Sequence, residues 1–141
     1  MRRDIDICAD IMAIPVHASV FDIVLCNHVL EHISDDVQGL REMARVVKAT
    51  GLVVLTIPYD ASRADTYEDL SVDTPDERLR LFGQEDHVRV YGTDYADRLS
   101  RAGVEIEQVR AQEIHSEEEC RRYGLIPGEP ILLCTKRAGT E

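Results

Sequence analysis

Two nearly continuous apolar runs flank a helical segment in the first half of the chain, and this arrangement most strongly constrains the fold. Residues 21–26 and residues 52–57 are rich in Val, Ile and Leu, which is typical of strands covered on both faces. Between them, apolar residues from Val37 to Val47 share one helical stripe, after an acidic start at residues 34–36 and before a predicted helix stop at Gly51. A strand–helix–strand unit with short joints requires a parallel strand pair, so the sequence predicts an α/β fold.

The second half contains a polar stretch and further elements. Residues 60–86 hold few apolar runs, but Thr74 begins a predicted short helix that ends near Gly83. Thr93 is predicted to cap another helix, which stops at Gly103. The other predicted elements are a strand at residues 5–8, a strand at residues 104–109, a charged helical turn at residues 115–122, a turn at residues 127–130 and a last strand at residues 131–135.

Length and composition limit the classes of protein to which the chain can belong. Its 141 residues are enough for one domain with one core, and a formal net charge of −11 argues against a nucleic-acid binder, which needs a basic surface. No apolar run is long enough for a transmembrane helix, and the first residues lack the apolar stretch of a secretion signal. Four cysteines without a C-x-x-C pair are typical of reduced thiols, so we expect a cytoplasmic protein.

Several segments together resemble class I S-adenosylmethionine-dependent methyltransferases of the type 11-like group. The resemblance extends from Ala9 to Pro58 and returns at residues 82–92. The segments that carry it are Ala9-Asp10-Ile11, Phe21-Asp22-Ile23-Val24-Leu25-Cys26-Asn27-His28-Val29-Leu30-Glu31-His32-Ile33, Leu40-Arg41-Glu42-Met43-Ala44-Arg45-Val46-Val47-Lys48, and Phe82-Gly83-Gln84-Glu85-Asp86-His87-Val88-Arg89-Val90-Tyr91-Gly92.

The resemblance implies a Rossmann-like methyltransferase fold in a single domain over residues 1–141. The family sheet has the strand order 3-2-1-4-5-7-6 with an antiparallel strand seven, and residues 5–8 resemble strand three. The chain then holds strands three to seven and is expected to be N-terminally incomplete, because no G-x-G-x-x-G occurs in it. Residues 60–92 correspond to a substrate or lid segment. The implied cofactor is S-adenosyl-L-methionine, and we expect its binding by this chain to be weak or absent.

The resemblance also implies a set of cofactor-binding residues. Asp10 corresponds to the acid that accepts a hydrogen bond from adenine, and the backbone N–H of Ile11 meets the ring; the alternative is that Asp10 caps a helical turn. Asn27 and His28 follow a parallel strand, where ligands bind in such sheets. Asn27 could hold the amino group of the cofactor, and His28 could act as a catalytic base toward the acceptor. The alternative for His28 is simple packing.

Three further residues are candidates for substrate binding. In an extended segment, His87, Arg89 and Tyr91 would share one face and could line a pocket, with Arg89 meeting an anionic group. The alternative is an ordinary edge strand in which Arg89 pairs with a nearby acid.

A second motif overlaps the methyltransferase segment. His28-Val29-Leu30-Glu31-His32 matches the H-x-x-E-H pattern of inverted zincin proteases, whose histidines bind zinc from one helix face. The motif follows a buried strand directly, and the sequence indicates no third ligand. We therefore predict no metal site.

The resulting prediction is an enzyme that transfers a methyl group from S-adenosylmethionine to a small-molecule acceptor, and we expect this transfer to need the missing N-terminal half. The alternative is a non-catalytic remnant that acts as a dimerising or binding module. Without strands one and two, the strand at residues 21–26 becomes an apolar edge. We therefore also predict a homodimer with this strand at or near the interface.

Overall fold

A mixed four-stranded sheet forms the centre of the protein. The computed structural model describes residues 6–126 and 128–137. The strands and helices are β1 (Phe21–Asn27), α1 (Asp36–Val46), β2 (Val47–Thr56), β3 (Tyr67–Glu68), α2 (Pro75–Phe82), β4 (Arg89–Val90), α3 (Tyr95–Ser100), β5 (Val104–Arg110), α4 (Ala111–Ile114), α5 (Glu117–Tyr123) and β6 (Pro130–Lys136).

The strand order of the sheet agrees with the fold expected from the resemblance. The order is β1-β2-β6-β5, in which β1 and β2 are parallel and β6 is antiparallel to both of its neighbours. This is the order 4-5-7-6 of the methyltransferase sheet. The predicted α/β class, the parallel pair and the antiparallel last strand are therefore confirmed. A separate two-stranded ribbon pairs β3 with β4.

One face of the sheet carries the core. Alternate residues of the strands point toward α1 and α3, because side chains alternate between the two faces of a strand. The core residues of the sheet and of these two helices are Cys26, Val47, Val53, Leu55, Val104, Leu132 and Cys134 from the strands and Leu40, Met43, Tyr95 and Leu99 from the helices.

The N-caps predicted at residues 34–36 and at Thr74 are present. Asp35 caps α1 by accepting a hydrogen bond from the backbone N–H of Gln38 at 2.8 Å. Thr74 caps α2 with Pro75 at the first helical position, and α2 ends at Gly83 in the left-handed conformation. The predicted charged turn at residues 115–122 is α5, capped by Ser116.

Gly51 does not stop the first helix, and this prediction was wrong. Helix α1 ends at Val46, and the chain continues directly into β2, so Val47 and Gly51 are strand residues. Gly51 is needed for close approach: a Cβ there would lie 2.7 Å from the carbonyl oxygen of Asp22 in β1. Glycine therefore marks the tight contact of two strands here.

Two other predicted elements also differ from the structure. Residue 94, not Thr93, precedes α3, and the Thr93 hydroxyl instead donates to the carbonyl oxygen of Ala64. Residues 6–8 are irregular, so the strand expected at residues 5–8 is not formed by them, and Ile5 lies outside the described residues. Of the predicted turn at 127–130, Pro127 also lies outside them.

The second face of the sheet is open beside β1. Phe21, Ile23 and Leu25 alternate along this edge strand on the side away from the core, and their exposed fractions are 37%, 57% and 70%. Across the parts of the chain that the structure describes, the helices are too short or too polar to cross a bilayer.

Candidate functional site at the carboxyl edge of the sheet

The parallel pair β1–β2 brings polar groups together where its strands end. The backbone N–H of His28 donates to the carbonyl oxygen of Thr56 at 3.0 Å, and the Thr56 hydroxyl lies 3.4 Å from Oδ1 of Asn27. Asn27 ends β1 and is exposed. The position predicted for Asn27 and His28, at the carboxyl edge of a parallel pair, is therefore confirmed, whereas their ligand roles stay predictions.

His28 has a backbone conformation that is unusual for a residue other than glycine. Its φ is 51°, in the left-handed region. Strain of this kind costs about 1–3 kcal/mol and concentrates at functional sites. The side chain is 45% exposed and lies between two carboxylates: Nε2 is 2.9 Å from Oε1 of Glu129, and Nδ1 is 3.5 Å from Oε1 of Glu31.

A cleft opens beside His28. A cavity of about 260 Å³ is lined by Asn27, His28, Thr56, Glu129 and the apolar Leu125 and Ile126, among others. A second cavity of about 360 Å³ shares His28 and Glu129 and extends to Pro58 and Tyr59. Polar groups from the strand ends and apolar side chains from the loop before β6 thus face the same space. Glu129 had no signal in the sequence, because only the return of β6 to the sheet brings it to His28.

Asp10 and Ile11 lie in a turn that packs on α1. Oδ1 of Asp10 accepts a hydrogen bond from the backbone N–H of Met12 at 2.8 Å, which is the capping role weighed as the alternative. Ile11 lies against Gly39 of α1. Asp10 is exposed, so its carboxylate is accessible to a ligand. Adenine binding by Asp10 and Ile11 stays a prediction.

Arg89 and Tyr91 lie inside the protein, in a network of ion pairs and hydrogen bonds that we call the Asp36 network (Asp36, Glu68, Arg89, Tyr91 and Arg98). Nε and Nη2 of Arg98 lie 2.7 and 2.9 Å from the Asp36 carboxylate, and the Tyr91 hydroxyl donates to Asp36 at 2.8 Å. Both arginines also pair with Glu68.

Arg89 also ties the network to the turn after β1. Its guanidinium, which is fully buried, donates to the carbonyl oxygens of Leu30, Ile33 and Ser34, at 2.7 Å for Ile33 and 3.1 Å for Ser34.

In the Asp36 network, the two carboxylates of Asp36 and Glu68 face the two guanidinium groups of Arg89 and Arg98. Burial alone would raise the pKa of the Asp36 carboxyl, but the hydrogen bond from Arg98, the charge of Arg89 and the Tyr91 hydroxyl hold it below its ordinary value. Burial raises the pKa of the Tyr91 hydroxyl well above its ordinary value, and the Asp36 charge adds to this. Asp36 is therefore ionised and Tyr91 is protonated at neutral pH.

These contacts revise the view of the predicted substrate residues. Arg89 pairs with an acid from a short strand ribbon, which is the alternative stated for it, and Tyr91 is fully buried. Both side chains hold protein partners, although Arg89 also lines the cavity that His87 borders. A substrate-binding role for them stays a prediction that the contacts do not support. His87 is also buried, but it borders a cavity of about 250 Å³ with Tyr59, Asp60 and Phe82.

His87 meets the turn after β1, in a group that we call the Glu31 cluster (Glu31, His32 and His87). The ring centroids of His32 and His87 are 4.6 Å apart, and Nε2 of His32 is 3.9 Å from Oε1 of Glu31. Burial lowers the pKa of the His87 imidazole below its ordinary value, and the neighbouring His32 lowers it further. His87 is therefore neutral at pH 7. The H-x-x-E-H pattern was the signal for two members of this group.

Comparisons with known proteins agree with this architecture. A family model described as a methyltransferase domain matches residues 2–55. The chain is class I methyltransferase-like. An uncharacterised protein of Methanocaldococcus jannaschii is 39% identical over 56 residues, which are 39% of this chain and 24% of that protein. The methyltransferase-like chain thus spans about a quarter of the length of that relative.

Solved structures show the same fold at low sequence identity. The YcgJ protein from Bacillus subtilis is 18% identical, with a TM-score of 0.56 and coverage of 92% of this chain and 70% of that one. An S-adenosylmethionine-dependent methyltransferase from Thermotoga maritima is 15% identical, with a TM-score of 0.56 and coverage of 92% and 62%. A Haloferax volcanii methyltransferase, solved with its Trm112 activator, is 17% identical, with a TM-score of 0.57 and coverage of 94% and 63%.

Proposed function

We propose that this protein transfers the methyl group of S-adenosylmethionine to a small-molecule acceptor in the cleft beside His28. The observation that carries the proposal is the strained, half-exposed His28 at the carboxyl edge of β1 and β2, which is the edge where ligands bind in such sheets. The cofactor, when bound, supplies a methyl group already activated on a sulfonium. The protein therefore has to align the reactants and accept a proton.

His28 is suited to the proton-transfer role. Glu129 at 2.9 Å and Glu31 at 3.5 Å lie on opposite nitrogens of its imidazole, so the ring is held in place. Glu31 beside Nδ1 would stabilise the imidazolium that forms when Nε2 takes a proton, and this step requires the acceptor to take the place of Glu129 at Nε2. We propose His28 as the base that accepts the acceptor's proton.

The cleft fits the mixed chemistry of the cofactor. Asn27 and Thr56 offer polar atoms, while Leu125 and Ile126 offer apolar surface. We propose that Asn27 holds the amino group of the cofactor, while Asp10 and the backbone N–H of Ile11 bind adenine. We propose that the methyl acceptor lies toward residues 60–92, next to the cavity that His87 borders.

We also propose that the protein is a homodimer, and the open face of the sheet beside β1 supports this. Phe21, Ile23 and Leu25 form an apolar strip on an edge strand, and a second copy would remove it from water. Leu25→Lys should convert a dimer to a monomer in sedimentation experiments, whereas a wild-type protein that is already monomeric at tens of micromolar would contradict this part of the proposal.

The cytoplasmic location is proposed on the state of the thiols. Cys26, Cys120 and Cys134 are buried and free, and burial raises the pKa of Cys26 to about 11. Such thiols are inert and are typical of a reducing compartment.

Calorimetry with S-adenosylhomocysteine tests the cofactor site. Asp10→Ala should weaken binding at least tenfold, because the adenine acceptor is lost. Asp69→Ala is a matched control, because Oδ1 of Asp69 accepts from the backbone N–H of Ser71 at 3.0 Å in the same kind of turn. If both variants bind like the wild type, the adenine site is misplaced. If the wild-type protein shows no binding at millimolar ligand, the proposed function fails for this chain on its own.

Methyl transfer from radiolabelled S-adenosylmethionine to a panel of small hydroxyl and amine compounds tests the catalytic role. His28→Ala should reduce the rate about 10²–10⁴-fold while S-adenosylhomocysteine binding stays within a few-fold. His115→Ala, which removes another partly exposed histidine beside a glutamate, should leave the rate unchanged. An unchanged rate in His28→Ala would show that His28 is not the base.

A further inference from the structure

We propose that the Glu31 cluster is a binding site for one divalent transition-metal ion, with Zn²⁺ as the best match. Glu31, His32 and His87 each offer one ligand atom, and these atoms lie within 4.8 Å of one another. Two imidazoles and a carboxylate form a donor set that suits Zn²⁺ and similar cations. The sequence lacked a third ligand for the H-x-x-E-H segment, and the fold supplies His87.

The first support is an unpartnered buried oxygen. Glu31 is 1% exposed, and its Oε2 is the buried side-chain atom without a hydrogen-bond partner among residues 6–126 and 128–137. A buried carboxylate oxygen without a partner costs free energy, because it has lost its water and gained nothing in return. A cation beside Glu31 would remove that cost.

The second support is the orientation of His32. Its Nδ1 lies 3.3 Å from the backbone carbonyl oxygen and from Oδ2 of Asp86, so it is placed to donate to Asp86. This leaves Nε2, on the Glu31 side, as the nitrogen with a free lone pair. Metal-binding histidines commonly donate their other ring N–H to a carboxylate or a carbonyl in this way.

The third support is the rigid connection between the two segments that carry the ligands. The backbone N–H of Val88 donates to the carbonyl oxygen of Glu31 at 2.9 Å. Arg89, the residue after Val88, binds the carbonyl oxygens of Leu30 and Ile33 on either side of Glu31 and His32. The turn after β1 and the segment of His87 are thus fixed together before any ion binds.

The separations allow coordination after a small adjustment. With bonds of about 2.0–2.2 Å to each ligand, a tetrahedral ion would hold the three atoms about 3.5 Å apart. The present limit of 4.8 Å therefore requires side-chain movements of roughly 1 Å, which rotation of the His32 and Glu31 side chains can provide. His32 is 32% exposed and His87 borders a cavity, so two of the three ligand residues lie close to solvent.

Zn²⁺ binding to the metal-stripped full chain tests the site, by competition with a chromophoric chelator. We expect one Zn²⁺ per chain and a dissociation constant below about 10 μM. His32→Asn, Glu31→Gln and His87→Asn should each weaken binding at least tenfold, and Mg²⁺ should bind at least 100-fold more weakly than Zn²⁺ because it prefers oxygen ligands.

The matched control is His115→Asn, since His115 also lies beside a glutamate, with Nδ1 3.9 Å from Glu119. This variant should bind Zn²⁺ like the wild type. His87 is buried and its substitution could unfold the protein, so circular dichroism is recorded for each variant, and the half-buried His32 provides the decisive comparison. Wild-type affinity in His32→Asn, or no one-to-one binding by the wild type, would overturn the proposal. Neither result depends on methyl transfer.

Discussion

The Asp36 network and the Glu31 cluster are neighbouring regions, and each contains a buried carboxylate. They differ in how many hydrogen-bond partners that carboxylate has. In the Asp36 network, both oxygens of Asp36 accept hydrogen bonds from Arg98, and Tyr91 adds another. In the Glu31 cluster, Glu31 is equally buried, but its Oε2 has no partner within the described residues. Arg89 touches both regions, because it pairs with Glu68 and binds the backbone around Glu31.

This difference separates a structural role from a functional one. A buried ion network with every atom paired rigidifies the fold, and it leaves nothing for a ligand to satisfy. A buried carboxylate beside two imidazoles, with one oxygen that lacks a hydrogen-bond partner, lowers the stability of the fold. Such unfavourable free energies are typical of binding sites. We therefore expect the charge of Asp36 to matter for folding and the charge of Glu31 to matter for ligand binding.

The largest expected effect is that of Asp36→Asn. This change removes one of the two carboxylate charges that Arg89 and Arg98 share, while Glu68 remains, so the free energy of unfolding should fall by about 3 kcal/mol in urea denaturation. Asp35→Asn is the matched control, because asparagine caps a helix as well as aspartate does. A loss below about 1 kcal/mol in Asp36→Asn would show that the network contributes little to stability.

Acid should remove part of the same stabilisation. The folded-state pKa of Asp36 lies below the ordinary value because Arg98, Arg89 and Tyr91 favour its ionised form. Its stabilisation is thus complete above the unfolded value of about 3.9 and is lost as the pH falls through the folded value. The difference in melting temperature between wild type and Asp36→Asn should be constant near neutral pH and should narrow below about pH 4. A difference that stays constant down to pH 2 would contradict the assignment.

Tyr91→Phe should have an intermediate effect. It removes one hydrogen bond to the buried Asp36 carboxylate, while Arg98 still holds both oxygens, so we expect a loss of about 1.5–3 kcal/mol in the free energy of unfolding. In the background of Asp36→Asn, the same change should cost clearly less, because the two residues share one interaction. Additive losses in this double-mutant cycle would show that the Tyr91 hydroxyl acts independently of Asp36.

The smallest effect on stability is expected for Glu31→Gln in metal-free protein. The substitution removes a buried charge whose Oε2 has no partner, so the free energy of unfolding should stay within about 1 kcal/mol of the wild type. The measurement is the same urea denaturation in the presence of a chelator. A loss of about 3 kcal/mol or more would mean that Glu31 is a structural ion like Asp36, and the contrast between the two regions would disappear.

The local pattern was enough for the parts of the fold that depend on neighbours in sequence. Near-continuous runs of β-branched and aliphatic residues predicted β1 and β2, and short polar side chains at residues 34–36 and at Thr74 predicted the starts of α1 and α2. The errors at Gly51 and Thr93 have one cause. A glycine or a threonine suits several local roles, and a contact with a distant segment, here Asp22 or Ala64, decides which one it takes.

The sequence by itself determined the α/β class, the parallel pair and the placement of Asn27 and His28 at its carboxyl edge, because apolar runs and the points where they end are local properties. Only the tertiary structure decided what the polar residues after β1 do. Arg89 was equally suited to a substrate anion or to an acid of the protein, and the packing of β4 against the turn after β1 selected Glu68 and the backbone. His87 joined Glu31 and His32 across more than fifty residues of chain. Such long-range choices follow from burial, since each buried polar atom requires a partner and only the folded chain shows whether it has one.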